Sequence, residues 1–117
     1  MPFDGTYGTN FQILDCLTQV RNHLSDKDHW MKADLSDGTG RFCMVGAVMH
    51  YAQDEMLADL TLNVISKQIR KTWKYAAQSH SARVMRYNDT DGVRHNHMLN
   101  TLDKAIRTVG QSSSQDK

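Results

Sequence analysis

The feature that most constrains the fold is an apolar run at residues 40–49, GRFCMVGAVM, in a chain that is otherwise polar. A helix over residues 43–52 would carry apolar side chains on nearly every face, and helices of that kind are buried. Gly46 and Ala47 have almost no side chain, so another element can approach the helix closely there. The run therefore predicts a central helix around which the rest of the chain packs.

Three further helices are predicted from apolar residues that recur at helical spacing on either side of this run. The first ends near Leu24, the second covers residues 55–78 and the third covers residues 95–109. In the second of these, Trp73 falls on the apolar face, so its ring is expected in the core. The turn cluster 88–92 separates the last two helices. The predicted fold is mainly α, a compact bundle of about four helices.

Residues 32–42 lie between the first helix and the apolar run, and they carry turn residues rather than a helical pattern. The pair Asp37-Gly38 is a strong signal for a tight turn, because glycine tolerates backbone angles that other residues avoid. A small β-hairpin or ordered loop is therefore expected before the central helix.

Length and composition limit the domain organisation. A chain of 117 residues is long enough for one domain with one core. The start, residues 1–9, is rich in turn formers and predicts a loose lead-in. The end, residues 111–117, is polar and Ser-rich. We therefore expect a single globular helical domain at residues 1–110 and a disordered tail after it.

Charge and hydropathy exclude some classes of function. The 14 basic and 13 acidic residues give a net charge of +1, so no overall field attracts nucleic acid or an anionic membrane. No apolar run is long enough to span a bilayer, and the N-terminus lacks a secretory pattern. We therefore expect no membrane partner, a cytoplasmic location, and reduced thiols at Cys16 and Cys43.

Cys43 is the candidate nucleophile if the protein is an enzyme. It would lie at a helix N-terminus, where unpaired N–H groups and the helix dipole favour the reactive thiolate. Paired with His95 and steered by Asn88 or Asp89, it would suit cysteine-dependent acyl transfer or amide hydrolysis. The alternative is that Cys43 is a small buried hydrophobic residue, as most free cysteines are. Its apolar neighbours favour burial and an unreactive thiol.

A second group of residues flanks the elements that must pack on the central helix. The side chains of Asn88 and Asp89 can bind either a ligand or nearby backbone N–H groups, and Arg94 can pair with Asp89. With one small core, the ends of these connections have few places to go. We therefore expect one cluster near the N-terminal end of the central helix, the candidate binding site: Trp30, Tyr87, Asn88, Asp89 and Arg94.

Basic residues form a third candidate site. Lys67, Arg70, Lys71 and Lys74 share one face of the predicted helix at residues 55–78. Basic residues beside aromatic ones can bind nucleic acid through phosphate contacts and base stacking. A solvated helix face explains the same pattern, because positive charge is favoured near a helix C-terminus. With Trp73 expected in the core, we expect weak nucleic-acid binding at most.

No metal or other cofactor is predicted. The chain has no Cys-x-x-Cys pair, and its two cysteines lie on separate predicted helices. His95 and His97 are two residues apart, a spacing that splays the two side chains on a helix. The scattered histidines therefore do not form a zinc framework.

The motifs together resemble a family of small bacterial and phage proteins known only as a domain of unknown function. They are Trp30 after the first helix, the run 40–47 with its Gly-x-x-Cys-x-x-Gly-Ala pattern, Tyr87-Asn88-Asp89, and Arg94 before the last helix. The resemblance covers about residues 11–109. It departs from the family at Tyr87, where a Trp is usual. The resemblance implies a small, mostly helical fold and supplies no activity.

The function expected from these observations is non-enzymatic binding of another macromolecule, with a protein as the partner. No set of residues forms a convincing catalytic group by sequence alone. The resemblance to phage proteins suggests a host-modulating or anti-defence role as one specialisation. A cysteine-dependent enzyme using Cys43 is the alternative, and nucleic-acid binding through the basic helix face comes third.

Overall fold

The computed structural model describes the backbone of residues 5–115 and the side chains of residues 9–111. Within that part of the chain the fold is mainly helical. Two single-turn 3-10 helices follow the first and third α-helices. The five α-helices are α1 (Gly5–Leu24), α2 (Met44–Tyr51), α3 (Glu55–Gln68), α4 (His80–Asp89) and α5 (His95–Gln115).

The predicted central helix is α2, which packs against α1, α3 and α4. Its first five residues, 44–48, are all buried. Cys43 precedes it in an extended conformation, and its sulfur accepts a hydrogen bond from the Gly46 N–H. The prediction that the whole segment 43–52 is buried is wrong toward its end. Met49 is 55% exposed, because no element among the described residues covers that side of α2.

The two long helices, α1 and α5, pack against each other and carry much of the core. The Arg21 guanidinium joins them by an ion pair of 2.8 Å with Asp103. The helix α1 begins at Gly5, so the loose lead-in predicted for residues 1–9 is wrong from Gly5 onward, and residues 1–4 lie outside the described residues. The helix α5 continues past Gly110, where its end was predicted. The disorder expected for residues 111–117 stays a prediction.

The predicted β-hairpin before α2 is absent, and no strand forms in the described residues. Phe42 makes isolated bridges to Trp30 and Ser36, and the pairing extends no further. The segment 30–42 forms a loop, the other alternative predicted there, in which Ala33 adopts a left-handed φ of 76°. A side chain of α4 supplies a hydrogen bond to this loop: the Asp89 carboxylate accepts from the Ala33 N–H at 2.9 Å.

The single long helix predicted at residues 55–78 is also wrong, and the described residues form five α-helices rather than about four. The helix α3 ends at Gln68, because the backbone of the next residue, Ile69, is extended. The Arg83 guanidinium donates to the freed carbonyl groups of Ile69 at 2.7 Å and Arg70 at 2.9 Å. The additional helix α4 begins where the Ser79 hydroxyl accepts a hydrogen bond from a backbone N–H.

Candidate functional site

Asn88 lies at the centre of the group that the sequence predicted to cluster. It is fully buried on α4, in the last turn of a helix rather than in the predicted turn. Its side-chain oxygen accepts from the Trp30 indole N–H at 2.7 Å and from the Met44 backbone N–H at 3.1 Å. Its amide nitrogen donates to the Met31 carbonyl and to the Asp89 carboxylate, both at 3.0 Å. One side chain therefore joins the loop, α4 and the N-terminus of α2.

Lys32 completes this group, although no sequence pattern pointed to it. Its ammonium donates to the carbonyl of Thr90 and, at 2.8 Å, to that of Val93, in the connection between α4 and α5. The same ammonium lies 5.3 Å from the centre of the Trp30 ring. We call Trp30, Lys32, Asn88 and Asp89 the asparagine cluster. Its side chains form hydrogen bonds with one another and with nearby backbone groups. We call this arrangement a structural clip, because it holds the loop, α2 and α4 together.

Tyr87 and Arg94 do not join the asparagine cluster. Tyr87 is next to Asn88 in sequence but faces α5, where its hydroxyl lies 2.8 Å from the Thr101 hydroxyl and donates to the His97 carbonyl. Burial raises the pKa of the Tyr87 phenol. The Arg94 side chain is exposed, and no ion pair links it to Asp89 in the part of the chain that the structure describes.

The residues proposed for cysteine chemistry lie in surroundings that disfavour a nucleophile. The Cys43 side chain is only 1% exposed. Burial raises the pKa of its thiol, and the nearby Asp89 carboxylate adds to that effect. His95 instead donates through Nε2 to the Leu24 carbonyl at 2.7 Å, and its ring contacts Trp30. Among the described side chains, no hydrogen bond joins Cys43 to a histidine.

The four basic residues predicted to share a helix face do not share one. Lys67 is in the last turn of α3, Arg70 and Lys71 lie in the irregular segment after it, and Lys74 is in the 3-10 turn Trp73–Tyr75. All four side chains are exposed. Trp73, expected in the core, is 79% exposed, because the end of α3 at Gln68 breaks the helical spacing that would have turned its ring inward.

A further surface, which the sequence did not predict, is an apolar groove between α2, α3 and α4. It has a volume of about 540 Å³. Three large apolar side chains at its edges are partly exposed: Leu35 by 36%, Met49 by 55% and Met85 by 36%. Its lining also includes Val45, Glu55, Ala58, Asp59, Leu62, Ser81 and Ala82. We call this surface the methionine groove.

Two histidines at and just after the end of α1, His23 and His29, pack with each other and with aromatic rings. The His23 ring stacks against His29 and contacts Phe42 and Tyr51. Its Nε2 lies 2.7 Å from the Gly40 carbonyl, which can only accept, and its Nδ1 lies 2.9 Å from the Tyr51 hydroxyl. Neutral His23 therefore carries its proton on Nε2 and accepts at Nδ1. Among the described residues, no three His, Cys, Asp or Glu side chains form a group suited to a metal ion.

Comparison with known proteins identifies a family for the chain. It belongs to a family of unknown function, DUF6197, whose model matches residues 9–108. No curated protein and no solved structure matches the chain. Within the described residues, none of the helices has the length and apolar character needed to cross a membrane.

Proposed function

We propose that this protein acts by non-enzymatic binding of another protein, and that the methionine groove holds an apolar segment of the partner. The observation that carries the proposal is the exposure of Leu35, Met49 and Met85 around one groove. Exposed apolar side chains that are grouped, rather than scattered, mark interaction surfaces. Methionine suits such a surface because its flexible thioether side chain adapts to the shape of a partner.

The lining of the groove supports an amphipathic helix as the bound segment. A helix that binds a groove presents apolar residues at spacings of three and four. Glu55 and Asp59 lie one turn apart on α3 and add carboxylates to one side of the groove. Asp59 hydrogen-bonds to His80 at 2.5 Å, whereas Glu55 makes no ion pair in the described residues. The partner helix therefore carries a Lys or Arg next to its apolar face.

The chemistry of Cys43 supports binding over catalysis. A nucleophilic cysteine needs a lowered thiol pKa and an adjacent base. Burial raises the pKa of Cys43, and the imidazole of His95 bonds to the Leu24 carbonyl. Acyl transfer or amide hydrolysis through Cys43, His95 and Asp89 would require the side chains of Cys43 and His95 to rearrange.

Capture of the partner tests the proposal. The full chain carries a photo-crosslinking residue in place of Leu35 and is irradiated in a bacterial lysate, since the resemblance to phage proteins makes a host protein the first partner class to test. Mass spectrometry locates the crosslinked segment, and a synthetic peptide of that segment is then titrated by calorimetry. We expect a negative heat-capacity change from apolar burial.

Variants assign the binding to the groove. The double variant Met49→Ser, Met85→Ser should lower the affinity for the peptide by about tenfold or more, since burial of one such side chain contributes about 1.5–3 kcal/mol. Met56→Ser is the matched control, because Met56 is 73% exposed and does not line the groove. Equal losses in both variants, or binding unaffected by the double variant, would contradict the proposal. So would concentration-dependent self-association through the groove.

A further inference from the structure

The charge of the chain is unevenly distributed, although its net value is close to zero. Residues 60–88 contain six Lys or Arg residues and no Asp or Glu. Positive charge concentrated on one part of a protein attracts anionic ligands locally, whatever the net charge of the whole. A cation can bind such a ligand only if the fold does not already use its side chain.

Two of the six cations are used by the fold. The Arg83 guanidinium donates to four backbone carbonyls, those of Ser66, Ile69, Arg70 and Tyr75. Arg86 donates to the Ala76 carbonyl at 3.0 Å. These bonds fix the irregular segment after α3 against α4. The segment is therefore a preorganised surface rather than a loose connection.

The other four cations are exposed and make no ion pair in the described part of the chain: Lys67, Arg70, Lys71 and Lys74. Trp73 lies between Lys71 and Lys74 in sequence, with 79% of its surface open to solvent. A large aromatic side chain so exposed costs free energy in water, because its apolar surface is hydrated. We call Lys67, Arg70, Lys71, Trp73 and Lys74 the basic segment.

Residues of the basic segment line two clefts, and neither cleft has a carboxylate among its described lining residues. One has a volume of about 530 Å³ and includes Lys67, Lys71 and Trp73 in its lining. The other has a volume of about 400 Å³ and includes Arg70 together with Lys104 of α5. Because Lys67 and Lys71 line the same cleft as Trp73, these cations can contact the phosphates of a strand whose base stacks on the exposed ring.

We propose that the basic segment binds single-stranded nucleic acid, with Trp73 stacking on a base and the surrounding cations contacting phosphates. Single strands offer unstacked bases to an aromatic ring, whereas a duplex keeps its bases stacked inside. The four cations lie within eight residues, which suits a short stretch of strand. This surface differs from the methionine groove in both residues and chemistry, so either site can fail without the other.

Fluorescence anisotropy of the full chain with labelled oligonucleotides tests this proposal. The probes are oligothymidylate and oligouridylate of about 12 nucleotides, within the range of known single-strand sites, and a duplex of the same length. We expect the single strands to bind more tightly than the duplex. The logarithm of the affinity should fall linearly with the logarithm of salt concentration, by about 0.7 for each phosphate neutralised.

Variants separate stacking from charge. Trp73→Ala should weaken single-strand binding by about 5- to 150-fold, the range expected for one stacked base, and Trp73→Phe should retain most of it. Lys71→Gln should lower the salt slope by about 0.7. Lys27→Gln is its control, because Lys27 is exposed and lines neither cleft.

Three results would overturn the proposal. The first is absence of single-strand binding at low salt. The second is unchanged affinity in Trp73→Ala, which would leave only unspecific charge attraction. The third is equally tight binding of polyglutamate, which would identify the basic segment as a site for acidic protein segments.

Discussion

The Trp30 indole and the Asn88 side chain are separated by 58 positions in sequence and joined by a 2.7 Å hydrogen bond. The same Asn88 oxygen accepts from the Met44 N–H, one of the backbone donors that a helix N-terminus leaves unpaired. Asn88 therefore serves as a second cap for α2, beside the sulfur of Cys43. A weak sulfur acceptor is sufficient at this helix start because an amide oxygen from α4 supplements it.

Replacement of Asn88 measures what this junction contributes to stability. Asn88→Ala would leave the Trp30 and Met44 donors without their partner in a buried site. We expect the free energy of unfolding to fall by about 2–6 kcal/mol, since each of the two unsatisfied groups costs about 1–3 kcal/mol. Urea denaturation provides the measurement. Asn96→Ala, at an exposed position of α5, is the control and should change stability little. Similar values for the two variants would show that the junction is not structural.

Gly46 packs closely against the backbone of the loop before α2. A Cβ atom added there would lie 2.0 Å from the Leu35 carbonyl oxygen, so the loop would have to move. We expect Gly46→Ala to cost about 1–3 kcal/mol or more. Gly110→Ala should instead stabilise α5 by about 0.5–1 kcal/mol, because its Cβ meets nothing within 4 Å and glycine disfavours helices. Thermal unfolding of both variants tests this contrast, and equal shifts would contradict it.

Alkaline pH should destabilise the protein through its two thiols. Burial raises the pKa of both Cys16 and Cys43, so the folded state holds their protons more tightly than the unfolded state does. The resulting stability is fully present below the unfolded pKa of about 8.5 and is lost as the pH rises through the folded values. Urea midpoints at about pH 7 and about pH 10 measure the loss.

A variant without either thiol identifies the groups responsible. The double variant Cys16→Ser with Cys43→Ser should lose less stability between the two pH values than the native protein does. The raised pKa of Tyr87 remains in both proteins and accounts for part of the residual loss. Rapid alkylation of Cys43 in the folded protein near neutral pH would contradict the burial argument and favour the cysteine enzyme.

Some of the fold follows from sequence because the signals are local. The apolar run at residues 40–49 predicted α2, and its small residues predicted a close approach that Gly46 makes with Leu35. The start of α3 is also a local signal, because Asp is favoured at helix N-caps and the Asp54 carboxylate accepts from the Leu57 N–H at 2.8 Å. The asparagine cluster was predicted in part, because Trp30 and Asn88 flank elements that pack on one short helix.

The errors arise where distant residues decide the local structure. Apolar spacing continues past Gln68, so the pattern contains no break, and the partners for the freed carbonyls come from Arg83 on the next helix. The exposure of Trp73 follows from that break and could not be read from periodicity. Lys32 is a lone basic residue in a loop, and its bonds to Thr90 and Val93 depend on how α4 and α5 are placed.

Variants at Asp89 and Arg94 test whether these residues have a structural role or belong to a binding site. The Asp89 carboxylate accepts from the Ala33 N–H and holds the one non-glycine residue with positive φ in the described residues. Asp89→Ala removes this bond and the one from the Asn88 amide, and should therefore reduce stability by about 1–3 kcal/mol, since one hydrogen bond usually contributes about 0.5–1.5 kcal/mol. Arg94→Ala should change it by less than about 0.5 kcal/mol, as at other exposed positions without partners.

Both variants are then titrated with the peptide that binds the methionine groove. If the two residues have only a structural role, each variant should bind the peptide with native affinity at a temperature where the variant is fully folded. Asp89→Ala should then lose binding only as it unfolds. Native stability combined with loss of peptide binding would instead place Asp89 or Arg94 in the binding site. Asp89→Asn refines the comparison, because an amide oxygen can still accept from Ala33 while the charge is removed. Full recovery of stability by Asp89→Asn would assign the role of this side chain to its hydrogen bond.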